Sequence, residues 1–302
     1  MALPRPAPQR VVFRPTRRAS WGTKIFVLLV FGLAVAAVVY FLVVVMPARV
    51  ATLARQESGE LAAARAGAAT VNASLTTLWN DIDARGSMSL TPDRITQDLA
   101  LAQSTEKTAN DALGHVQAAQ GYLAEADGIP FQFHHPAFIA QDQPALHHLE
   151  KSLQAATRLT HGATLQLSVA QHMLNDWQSI LTQLNPSLAA RNWARVATTA
   201  GSLQTDLKSE ATAVQNPESF LDPLWSRWTD AMAAYATTAQ AYSQAYASGQ
   251  SQTAQQLGRT LAAESDQMGA ALAAAQAGAG AWQQKTIQPL LDTVNKELSA
   301  GS

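Results

Sequence analysis

Beyond residue 47, apolar side chains recur along this chain in steps of three and four. The longest series begins at Leu146 and continues through Leu149, Leu153, Ala156, Thr160, Ala163, Leu167, Ala170, Leu174, Trp177, Leu181 and Leu184. A sustained step of this kind lays one apolar seam along a long helix, the pattern of helices packed at a shallow angle in coiled coils and up-down bundles. Leu221, Trp225, Trp228, Met232, Tyr235, Ala239, Tyr242 and Tyr246 repeat it with aromatic residues. Shorter stripes follow Val71, Leu75, Leu78 and Ile82; Leu99, Ala102, Ala109, Leu113, Val116 and Leu123; and Val196, Ala200, Leu203 and Leu207.

Turn and capping residues divide this pattern into about six helices, over 48–85, 92–127, 144–184, 187–215, 218–248 and 251–298. Thr91-Pro92-Asp93 supplies a cap, a proline at the first helical position and an acid in the first turn. Asn185-Pro186, Asn216-Pro217 and Ser248-Gly249 predict tight reversals, and Gly278 and Gly280 predict a bend in the last helix. Connections this short make neighbouring helices antiparallel. The expected fold is all-α: one transmembrane helix, then a long antiparallel bundle with coiled-coil-like packing. The bundle occupies 47–302, with a division into sub-bundles 47–184 and 187–302 as one way to build it.

The N-terminal region breaks the 3-4 pattern. Ile25 to Met46 is apolar without interruption, and as a helix these 22 residues span about 33 Å, enough for a hydrocarbon core of about 30 Å. A secretory signal has a shorter apolar stretch and a small-residue cleavage site, which Met46-Pro47-Ala48 does not provide. The segment therefore reads as an uncleaved single-pass signal anchor over 25–46. Six basic residues (Arg5, Arg10, Arg14, Arg17, Arg18 and Lys24) precede it, and only Arg49 and Arg55 follow closely. The positive-inside rule assigns 1–24, basic and Pro-rich, to the cytoplasm and 47–302 to the extracytoplasmic side of the cell membrane.

Charge also excludes a partner class. With six of the 21 basic residues before the span, the rest of the chain carries 15 against 22 acids. Nucleic acid is bound through a basic surface that displaces counterions, so no nucleic-acid partner is expected. The chain has no cysteine, which removes disulfides, thiolate metal sites and a cysteine nucleophile.

Little in the sequence suggests chemistry. Four of the seven histidines, His134, His135, His147 and His148, lie around one connection. Both pairs are adjacent in sequence and so diverge by about 100° where helical, whereas a metal is held best by i, i+4 histidines. Paired acids such as Glu264 and Asp266 diverge likewise, and no phosphate loop or nucleophile motif is present. Glu57, Glu106 and Glu264 fall on apolar seams and are expected to reach solvent or a partner amide. No catalytic, cofactor-binding or metal residue is assigned, no cofactor is expected, and the protein is read as non-enzymatic.

The connection 128–143 is the better candidate. Its prolines predict a non-helical segment, and two outer helices of nearly equal length return it toward the membrane surface. Phe131, Phe133, His134, His135, Phe138 and Ile139 form the candidate interaction loop, since apolar residues on a loop bury against the bundle, lipid or a partner. The expected function is a membrane-anchored interaction or scaffolding protein of the cell envelope. The alternative is a ligand-sensing or accessory subunit, binding a small molecule in the bundle and signalling through a partner. Besides the lipid bilayer, the expected partners are an envelope protein or a second copy of the chain.

Overall fold

The computed structural model describes residues 21–84, 91–129, 136–216, 218 and 220–301. Among these, the architecture is helical throughout, as the periodicity predicts. Packing divides the chain into a unit containing the N-terminal helix, up to Thr52, and a bundle that begins at Leu53.

The first unit contains α1 (Trp21–Tyr40), a π turn over Phe41–Val45 and the start of α2 (Met46–Ala84). An 18-residue window of this helix reaches a mean hydropathy of 3.0 with none of it buried. Phe26 and Phe31 remain 66% and 65% exposed, and Leu28 and Leu33 each 69%. By length and composition, this helix is long and apolar enough to cross a membrane.

The bundle is built on α4 (Ala137–Ser179), which carries three consecutive cores along its length. Leu146, Leu149 and Leu153 pack with Leu61 and Ala64 of α2 and with Val116 and Leu123 of α3 (Pro92–Asp127). Ala156, Leu159, Ala163 and Leu167 join Val71, Leu75 and Leu78 of α2 and Ile95 of α3. Farther on, Val169, Met173, Ile180 and Leu184 face α6 (Trp193–Val214), α7 (Pro223–Ala247) and α8 (Ser251–Thr286). The last helix, α9 (Gln288–Gly301), returns along α4, where the Ser152 hydroxyl donates to the Val294 carbonyl at 3.1 Å. A lower half of α2, α3, α4 and α9 thus shares its spine with an upper half of α4, α6, α7 and α8.

One connection joins the two cores. Phe220 belongs to the lower core and its neighbour Leu221 to the upper. Phe220 adopts φ 49°, a left-handed conformation that costs a residue with a Cβ about 1–2 kcal/mol. Burial of its ring offsets this, as does the Trp282 indole N–H, which donates to the Phe220 carbonyl at 2.9 Å. Gly162 of α4 makes room for it, because a Cβ there would overlap the Phe220 ring.

Four local expectations need correction. The segment before 144 is not a loop to its end: α4 starts at Ala137, so Phe138 and Ile139 are helical and half-buried. Pro136 sits at the N-cap and Pro144 is tolerated inside the helix at the loss of one ladder bond. The reversal expected at Asn185-Pro186 occurs at 190–192 instead. A π turn over Ile180–Leu184 precedes the proline, and a short α5 (Asn185–Ala189) continues before Arg191 turns the chain at φ 55°. The bend expected at Gly278 and Gly280 lies at Ile287, where Pro289 has no N–H for the helical ladder. Gly278 instead admits α7, since a Cβ there would come within 2.5 Å of a Leu224 methyl. Finally, Leu181 and Tyr246, both placed on seams, are 46% and 41% exposed. The buried row of α4 shifts face where its partners change from α3 and α9 to α6 and α7.

Candidate functional site

Two carboxylic acids meet inside the upper core. The buried stripe of α6 is Val196, Ala200, Leu203, Leu207, Glu210 and Val214. In the shifted row of α4, Asp176 stands between Met173 and Ile180. The turn at 190–192 makes α4 and α6 antiparallel, which brings Asp176 opposite Glu210. Their carboxyl groups hydrogen-bond to one another. The two residues are only 7% and 6% exposed, and no donor elsewhere in the protein reaches Asp176 Oδ2 or Glu210 Oε2.

The surroundings are aromatic and apolar. Trp177, next to Asp176, packs against Trp228 of α7 with ring centroids 5.9 Å apart, and Trp225 meets Trp228 edge-on at 5.6 Å. The Trp228 indole N–H is itself buried without a partner. Loss of hydration pushes both acids up, because a charge is costly in such a place. Glu210 rises to about 9, from burial first, then the charge of Asp176, the hydrogen bond between them and Asp206. Asp176 rises to about 6, where burial and Asp206 outweigh the opposing effects of the Glu210 hydrogen bond and His172. Both shifts point the same way, so the pair as a unit keeps a proton to higher pH than either acid would in water.

A cleft of about 610 Å³ lies at the other end of the bundle. The end of α3 and the start of α4 form it, with Leu123, Ile139 and Leu146 among its apolar walls and Gln120, Asp127, Gln143 and His147 among its polar lining. Of the candidate interaction loop, Ile139 lines this cleft, and Phe138 packs with Ile139 against the core of Leu146 and Leu149. Phe131, Phe133, His134 and His135 lie outside the described residues. Glu57, on a seam of α2, is 1% exposed with Oε1 unpartnered. Burial and the charge of Asp142 push it up, against the pull of Arg65.

Three other histidines bridge neighbouring helices. His148 Nδ1 lies 2.7 Å from Glu297 of α9, and His161 Nδ1 lies 3.0 Å from Glu106 of α3. His115 of α3 makes the same pairing with Glu60 of α2. Among the described residues, no three His, Asp or Glu side chains are grouped as metal ligands. Glu264 accepts a hydrogen bond from Thr238 at 2.9 Å. At the far end of the upper half, Trp193 stacks on Tyr246 at 4.6 Å, with Tyr242 edge-on to both.

Asp176 and Glu210 are absent from the residues that the sequence singles out, although a signal was present. Extending the stripe Val196, Ala200, Leu203, Leu207 by one more step of three lands on Glu210. Asp176 is hidden by the change of face in α4, since the unshifted seam passes through Leu174 and Trp177 on either side of it. No protein-family model, curated protein or solved structure matches this chain.

Proposed function

We propose that this chain is a single-pass protein of the cell membrane, with its N-terminus in the cytoplasm and its bundle in the extracytoplasmic space. There it serves as a non-enzymatic interaction or scaffolding protein of the cell envelope. The observation that carries this reading is the apolar N-terminal helix, whose large side chains are uncovered on every face. The charge bias across that helix supports the orientation. Long helices packed side by side offer extended lateral surfaces to an envelope protein or a second copy of the chain.

A reporter enzyme that is active only outside the cytoplasm, fused after Ser302, tests the orientation. Activity is expected; activity confined to a cytoplasm-only reporter overturns it. Crosslinking in the native membrane tests the scaffolding role, with discrete adducts to envelope proteins or to the chain itself as the expected result.

A second reading, a ligand-sensing or accessory subunit, is favoured by the cleft between α3 and α4. Its volume falls within the range of small-molecule sites, and its lining mixes apolar walls with a few polar groups. If it is a ligand site, Ala140→Trp should fill it and abolish any thermal stabilisation by a small amphipathic ligand.

A further inference from the structure

We propose that Asp176 and Glu210 form a proton-operated latch between α4 and α6, closed by one shared proton and released when that proton is removed. The two acids come from facing helices, touch through their carboxyl groups and are nine-tenths buried. Asp176 Oδ2 and Glu210 Oε2 are buried and accept no hydrogen bond from a donor elsewhere in the protein. Trp228, packed at a tilt against Trp177 next to Asp176, has an indole N–H that is also buried and unpartnered. This is a polar node closed by a single hydrogen bond inside an apolar core. With the proton present, that bond is charge-assisted and short-range order is favourable. Without it, two carboxylates face one another with no counter-charge inside the core. The cheapest relief is to admit water by separating the helices.

The groups around the pair do not supply that counter-charge. On α4, His172 is exposed and opposes the rise of Asp176 without overcoming it; on α6, Asp206 is exposed and adds repulsion, and Lys208 is exposed. From α7, Trp225, Trp228 and Met232 face this core, while Arg227 and Asp230 are exposed. From α8, Met268, Ala271 and Leu272 face it, while Arg259 and Asp266 are exposed and Glu264 is engaged by Thr238.

The direction follows from linkage. An unfolded glutamate titrates near 4.5, and the folded chain holds the Glu210 proton up to about 9. The stabilisation is complete below the lower value and is lost as pH rises through the upper one. Within that window, one extra proton bound by the folded state raises the unfolding equilibrium constant about tenfold per pH unit.

The test uses the full chain in detergent micelles, with chemical unfolding measured from pH 6 to pH 9. Glu210→Gln keeps a donor for the Asp176 carboxylate and cannot ionise. The dependence of log K on pH should be shallower in Glu210→Gln than in the parent by about one proton, while Asp206→Asn keeps the parent slope. Tryptophan emission of the parent should shift to the red above pH 9, and that of Glu210→Gln should not. Independently of any variant, the parent's infrared spectrum should contain a protonated-carboxyl band at neutral pH that disappears by pH 10. Parallel stability curves for parent and Glu210→Gln overturn the latch. If Glu210→Gln does not fold, absence of the neutral-pH carboxyl band in the parent overturns it equally.

Discussion

The two halves of the bundle place ionisable side chains between helices in opposite ways. In the lower half, His115–Glu60, His148–Glu297 and His161–Glu106 bridge neighbouring helices on partly exposed flanks. In the upper half, Asp176 and Glu210 meet inside the core, with tryptophans around them. Exposed pairs of opposite sign gain little, since water already solvates both partners. A buried pair of like acids is controlled by desolvation and holds a proton that water would remove. Glu57 marks the boundary between these cases. It is as buried as the upper pair, yet Asp142 acts on it only through its charge and Arg65 acts against its rise.

The cores differ in a parallel way. Leu, Ala and Ile fill most of the lower half, whereas Trp, Tyr and Met dominate the wall around α7. Truncating Trp228, which is 1% exposed, should therefore be the most damaging single change. Trp228→Ala is expected to cost about 3–5 kcal/mol in denaturant unfolding, through lost burial and the cavity left behind. If the halves are coupled only through α4 and the Phe220 connection, the lower half should retain its helicity at denaturant concentrations that melt the upper.

The joint itself should be the next most sensitive place. Gly162→Ala places a methyl group against the Phe220 ring and the Glu218 carbonyl, and should cost about 1–3 kcal/mol by overpacking. Coupling between halves would weaken with it, visible as a broader or two-step unfolding curve. A sharp single transition at the parent midpoint would show that the ring moves aside freely.

The exposed pairs should matter least, and with the opposite pH sign. His161→Gln is expected to change stability by less than about 1 kcal/mol, with the difference shrinking further in high salt. Glu297 is held below the usual carboxylate range chiefly by its hydrogen bond with His148. Its contribution is present above 4.5 and is lost as pH falls through its lowered value. His148→Gln should therefore remove an acid-side dependence and leave the alkaline side unchanged.

Most of this architecture was legible in the 3-4 spacing, because helical periodicity is a local property. The stripes through Val71, Leu75 and Leu78, through Ala102, Ala109 and Val116, and through Trp228, Met232 and Tyr235 are buried where the spacing places them. What was not legible depends on partners distant in sequence. Leu181 is exposed because α4 changes the face it buries along its length, a choice made by α6 and α7. The break at Ile287 was readable from Pro289, but Gly278 and Gly280 pointed to the wrong place. At Gly278 the missing side chain serves the contact with Leu224 rather than a bend. The acid pair shows both situations: Glu210 continues a visible stripe, while Asp176 becomes conspicuous only once its helix has a second neighbour.

The contrast between the halves is tested most directly by hydrogen exchange along the full chain in micelles at pH 7 and pH 10, corrected for intrinsic exchange. The account predicts that amides of α6 and of α4 from Val169 onward lose protection at pH 10, while those of α3 and of α4 before Leu159 keep it. Equal loss in both halves, or loss confined to the lower half, would contradict it.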